Sequence, residues 1–189
     1  MARLLLGILI GILLVPLALY AWLQFGSLPV AVADKPLPQE RRITHTALDA
    51  RIRREMVKTP PIQPDEATYV GGAHIYADQC AVCHGYHGKP SNIGPHEYPE
   101  APPLWEKHQD GSVVGVSDDP PGETYWKVAN GIRLTGMPAY KDMLSEPQIW
   151  QVSLLLANAD KPLPPAAIAI LNGETNPIPP SLMLPQQHK

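Results

Sequence analysis

Residues 80–84 read Cys80-Ala81-Val82-Cys83-His84, and these are the only two cysteines in 189 residues. Two thiols three positions apart, followed at once by an imidazole, suit a covalently attached haem. Each thiol adds across one vinyl group, and the histidine offers a ring nitrogen to the iron. Other uses of the pair fit less well. A dithiol redox motif calls for a βαβ setting, whereas the flanks here read as a helix followed by a polar, glycine-rich loop. Zinc takes four protein ligands, or three plus water, and usually draws its thiolates from two pairs. A disulfide across two intervening residues closes a small, strained loop and leaves His84 without a role. The motif therefore predicts one covalent haem c, with His84 as the first ligand of its iron.

The second ligand has to come from farther along the chain. Met137 stands in Gly136-Met137-Pro138, where glycine lets the backbone pass close to a haem and proline stiffens the loop that carries the sulfur. A thioether is a soft, weak donor that favours reduced iron and raises the reduction potential. Met143 is the reserve sulfur ligand, and His74, His87, His96 and His108 are expected on the surface.

Helical periodicity surrounds the motif. Asp65 or Thr68 caps a helix running to about Gln79, with Tyr69, Gly72, Ile75 and Tyr76 on its inner face. Gly71 and Gly72 predict a close approach by another helix. The expected partner spans Ser145 to Asp160, opened by a Ser145/Gln148 capping box and carrying Ile149, Trp150, Val152 and Leu156, with Trp150 placed against Gly72. A third helix covers Glu123 to Asn130 and ends at Gly131. No strand pattern or repeat is evident. Three short helices and long loops offer little apolar core on their own, so folding is expected to depend on the buried porphyrin.

Outside this unit the chain changes character. Leu4 to Phe25 carries no charge over 22 residues, enough to cross a bilayer as a helix, with Tyr20 and Trp22 near its outer end. A cleaved signal peptide is the rival reading, because Ala31-Val32-Ala33 resembles a cleavage site; the apolar run is longer than the usual signal core. Residues 34–64 form a Pro-flanked linker whose helix, Glu40 to Lys58, bears Leu48, Ile52 and Met56 on one stripe and five arginines elsewhere. A solvated spacer is the plainer reading of that helix; contact with anionic lipid head groups or with the acidic haem domain is the alternative. The prolines of residues 161–189 predict a mostly extended tail with one short apolar turn at Ala166 to Asn172. The division is thus 1–33 anchor and flank, 34–64 linker, 65–160 haem domain and 161–189 tail.

Charge narrows the partners. The net charge is −3, with 23 prolines, and no basic face is large enough to follow a phosphate track, which argues against nucleic acid. Glu66 to Asp160 holds 12 acidic against 5 basic residues, while Asp34 to Asp65 holds 7 basic against 5 acidic. Nothing resembles a catalytic constellation. An acidic haem domain predicts protein redox partners with basic docking surfaces.

Through Cys80, Cys83 and His84, the Gly-Met-Pro loop at Met137, and the Gly72/Tyr76 helix facing an aromatic C-terminal helix, the stretch from Asp65 to Asp160 resembles the class I cytochromes c, in particular small membrane-anchored bacterial monohaem carriers. The resemblance implies an all-α fold of three main helices around one covalent haem, with an N-terminal transmembrane helix and a Pro-rich tail added. It implies electron transfer rather than catalysis, with His84 and Met137 on the iron. It also implies that a proline carbonyl, Pro102 or else Pro95, accepts the proximal histidine's other N–H. Arg133, Trp126 and Tyr125 occupy regions that hold haem propionates in similar proteins. Covalent haem attachment in bacteria implies export, hence a single-pass inner-membrane protein with its haem domain in the periplasm. A haem subunit of a larger membrane-bound respiratory or dehydrogenase complex is the alternative role.

Overall fold

The computed structural model describes residues 2–109, 111 and 113–174. The described residues are helical, with two isolated β-bridges and no strands. Met1–Glu40 and Arg41–Lys189 separate into two compact units. In the first, α1 (Ala2–Phe25) runs through Pro16 without a break, and its Arg3–Phe25 stretch has a mean hydropathy of 2.7. Length and apolar composition fit a membrane span, and equally a signal sequence near the N-terminus.

The second unit is built on two helices, α3 (Glu66–Ile75) and α6 (Glu146–Leu156). Asp65 starts α3 by accepting the Thr68 N–H at 2.8 Å. That bond leads the effects holding the Asp65 carboxyl below its ordinary range. Gln148 Oε1 accepts the Ser145 N–H at 2.8 Å and starts α6. The close approach of the two helices falls at the paired glycines. A Cβ on Gly72 would lie 2.5 Å from Gln151 O, and one on Gly71 would lie 2.8 Å from the Gln151 side chain. Gly72 is therefore opposed by the backbone at Gln151 and by Leu155, not by Trp150. Trp150, fully buried, turns to stack on Tyr125 of α5 (Pro121–Asn130), with ring centroids 4.2 Å apart. Gln151 is the α6 residue nearest α3 because the backbone contact excludes any bulky ring there.

Two segments outside the expected domain join this core. The helix α2 (Glu40–Glu55) begins where the linker helix was expected and is not a solvated spacer. Ile52 is 1% exposed, Trp126 Nε1–H of α5 donates to Glu55 Oε2 at 2.9 Å, and Gly122 leaves room for the Val57 carbonyl, which an added Cβ would strike. The short helix α7 (Pro165–Leu171) matches the expected apolar turn, and it buries Ala167, Ile170 and Leu171 with the α3 and α6 residues. The remainder of the expected extended tail, residues 175–189, lies outside the described residues.

Hydrogen bonds from Trp126 and then Arg51 hold the Glu55 carboxyl below its ordinary value. The folded state thus binds that proton less readily than the unfolded chain, and the α2 contact is fully present at neutral pH. It weakens as pH falls through the depressed folded value, below the usual glutamate range. Hydrogen exchange across α2 is expected to accelerate in acid relative to α6, and Glu55→Gln is expected to remove that difference.

Candidate haem-attachment site

The site grows from the C-terminal end of α3. There the chain widens into a π-helical turn, Tyr76–Cys80, before one last turn of α4, Ala81–His84, ended by Gly85 at φ 77. Widening the turn releases backbone carbonyls; tyrosine hydroxyls take up two of them, and a third tyrosine fixes the end of α4. Tyr140 Oη–H donates to Gln79 O at 2.9 Å, Tyr86 Oη–H to Ala77 O at 3.2 Å, and the buried Tyr76 Oη–H to Gly85 O at 2.7 Å. Burial, as the leading effect, raises the Tyr140 hydroxyl to about 12. These residues hold the shape of the motif without belonging to it. Sequence reasoning missed the roles of Tyr86 and Tyr140, because each joins carbonyls that no local pattern pairs with it.

Cys80 and Cys83 are unpaired and half-buried. Burial and then the neighbouring Cys83 push the Cys80 thiol up to about 12. Donation to Glu97 Oε1 at 3.0 Å, then burial, pushes Cys83 to about 11. Both thiols are thus harder to ionise than a free cysteine. No group of three or more His, Cys, Asp or Glu side chains suited to a metal ion occurs among the described residues.

His84 Nδ1 lies 2.8 Å from Pro102 O. A carbonyl oxygen only accepts, so Nδ1 carries the proton. Burial lowers the His84 pKa against the raising effect of that same bond. The neutral imidazole then keeps its lone pair on Nε2, as an axial ligand requires. Gly94, at the head of the 3₁₀ turn Gly94–His96, allows the Pro102 loop to close over the motif, since a Cβ there would collide with Cys83 O.

Met137 is half-buried against the hydrophobic core, at the end of a loop that leaves α5 through Gly131 at φ 65. Thr135 fastens that loop twice, donating from Oγ1 to Ile132 O at 2.7 Å and accepting from Met137 N at 3.1 Å. Glu97 brings the two loops together. Its carboxylate touches Cys83, and a Cβ on Gly136 would fall 2.8 Å from its Cδ. Thus Glu97, absent from the expected site, is the residue that links the attachment motif to the Met137 loop.

The other expected residues take varied positions. Arg133 is exposed. Trp126 has a single donor and spends it on Glu55, which leaves no N–H for a propionate. Tyr125 is stacked on Trp150, and Met143 is 61% exposed. His87, His96 and His108 are exposed, His87 with its Nδ1 3.1 Å from Asn172 Oδ1, while His74 is half-buried on α3.

The donor set fits a c-type haem: two unpaired cysteines at the right spacing, an imidazole with Nε2 free, and a thioether on a nearby loop. Residues 67–154 match a family model described as cytochrome c oxidase, cbb3-type, subunit III. Searches of curated proteins and of solved structures return no significant match.

Thr135→Ala removes both fastenings of the Met137 loop. Stability is expected to fall by about 1–2 kcal/mol, with faster amide exchange confined to residues 132–137.

Proposed function

We propose, from the premise that residues 67–154 form a domain of the c-type cytochrome family, that this chain is a membrane-anchored carrier of single electrons. Cys80 and Cys83 would bond its haem, and His84 and Met137 would hold the iron. When bound, the haem supplies one-electron chemistry at its iron. The chain's own residues have three tasks. Cys80 and Cys83 fix the porphyrin by thioether bonds, so that it stays with the protein. Pro102 O holds the His84 ring in one tautomer and one orientation. Thr135, Gly136 and Pro138 keep the Met137 sulfur in place, so that little rearrangement accompanies a change of charge. The observation that carries this reading is the His84 Nδ1–H to Pro102 O bond beside two unpaired cysteines.

The span-length helix α1 supports anchoring, and covalent haem attachment in bacteria supports a periplasmic location for the domain. The described matching family model is that of an oxidase subunit, which favours a second reading: this domain serves as a haem subunit of a larger membrane-bound oxidoreductase complex. Purification in mild detergent separates the two, since a free carrier elutes alone and a subunit elutes with a large catalytic chain.

Ligation by Met137 has a direct test. The reduced wild-type protein is expected to resist carbon monoxide. Met137→Ala is expected to bind it readily, with a reduction potential lower by on the order of 0.1 V, within the roughly 0.8 V range that axial ligands command. Ready carbon monoxide binding by the wild type would reject this ligand assignment.

A further inference from the structure

We infer that the outward face of α2 is a docking surface for anionic phospholipid head groups, an inference that rests on the reading of α1 as a retained anchor. The helix has two differently employed sides. Ile52 is buried, Leu48 and Met56 are half-buried, and Glu55 receives the Trp126 N–H, so this side is committed to the haem-domain unit. At 100° per residue, Ile43 lies directly opposite Ile52 and Arg54 lies within about 20° of that direction. Arg53 lies about 80° to one side of that direction, whereas Arg42 lies about 100° away and Arg41 falls within about 20° of Ile52. Ile43 is 66% exposed, and Arg41, Arg42, Arg53 and Arg54 are exposed as well.

The positive charge on this side is not neutralised by the protein. Among the described residues, ion pairs engage Arg51 and Lys127 but neither Arg53 nor Arg54. The acids of α2 are occupied or turned away. Glu40 Oε2 accepts the Leu37 N–H at 2.8 Å, Asp49 is half-buried toward the committed side, and Glu55 binds Trp126 and Arg51. The guanidinium groups of Arg53 and Arg54, with exposed Ile43 on the same side about 15 Å nearer the start of the helix, match an anionic interface: arginine heads meet phosphates while apolar stems and Ile43 reach inward.

Chain connectivity selects lipid over a soluble acidic protein. Only residues 26–39 separate α1 from α2, a tether of at most about 50 Å. A bilayer that holds α1 is therefore always within reach of α2, at a high effective concentration, and each arginine near an anionic surface adds to the attraction. Because α2 is fixed to α5, such a contact orients the haem domain on the membrane.

The test uses the full-length haem-loaded protein in nanodiscs of phosphatidylcholine alone or with phosphatidylglycerol. Phenylglyoxal modification of individual arginines is read by mass spectrometry, with the exposed Arg133 as internal reference. In discs containing phosphatidylglycerol, modification of Arg53 and Arg54 is expected to fall at least about threefold relative to Arg133, and 0.5 M NaCl, on the order of salt that shortens screening to a few ångströms, restores it. Equal modification in both lipids, protection that salt does not lift, or equal protection of Arg133 overturns the docking surface while leaving the anchor intact. Failure of the protein to co-elute with either disc refutes the anchor and the surface together.

Discussion

One hydrogen bond, 2.8 Å between His84 Nδ1 and Pro102 O, constrains the rest of the site. It decides the tautomer and ties α4, the turn after Cys80 that carries Cys83 and His84, to a loop 18 residues farther on. Burial, the larger effect on its titration, lowers the His84 pKa against the raising effect of this bond and so favours the neutral ring. The surrounding structure can be understood as what is needed to keep this contact. Gly94 admits the Pro102 loop over Cys83, the tyrosine hydroxyls satisfy carbonyls of the widened turn, and the α3–α6 pair supplies the rigid base from which α4 projects.

That base relies on backbone proximity more than on large side chains. At Gly72 the two helices come so close that only hydrogen fits between α3 and Gln151 O. The buried aromatic rings pack beside that contact rather than in it: Trp150 stacks on Tyr125, and Trp105 meets Tyr76 edge-on at 5.4 Å. Trp126 of α5 holds α2 by donating to Glu55 at 2.9 Å. A segment expected to be an independent tether thereby becomes part of the haem-domain unit, and its arginines become a surface feature of that unit.

Local chemistry was legible in the sequence where one short stretch contains all the relevant atoms. The cysteine–histidine motif is of this kind, as are the capping residues Asp65 and Ser145 and the apolar run that forms α7. Paired glycines announced a close helix approach, but period alone cannot say which residue arrives opposite, and Gln151 arrived where Trp150 was expected. The choice of Pro102 came from family resemblance rather than from spacing. Trp126 was assigned by position, whereas its single N–H is directed by Glu55, 71 residues away in sequence. Glu97, Tyr86 and Tyr140 were invisible for the same reason: their importance lies in long-range contacts between loops.

The account stands on a porphyrin bonded to the only two thiols. The most direct measurement is intact mass of the protein after denaturation and acid–acetone extraction, from a host that carries out cytochrome maturation. The chain is expected to be heavier by one haem, with neither Cys80 nor Cys83 open to alkylation. A mass equal to the polypeptide alone, with both thiols reactive, would contradict it.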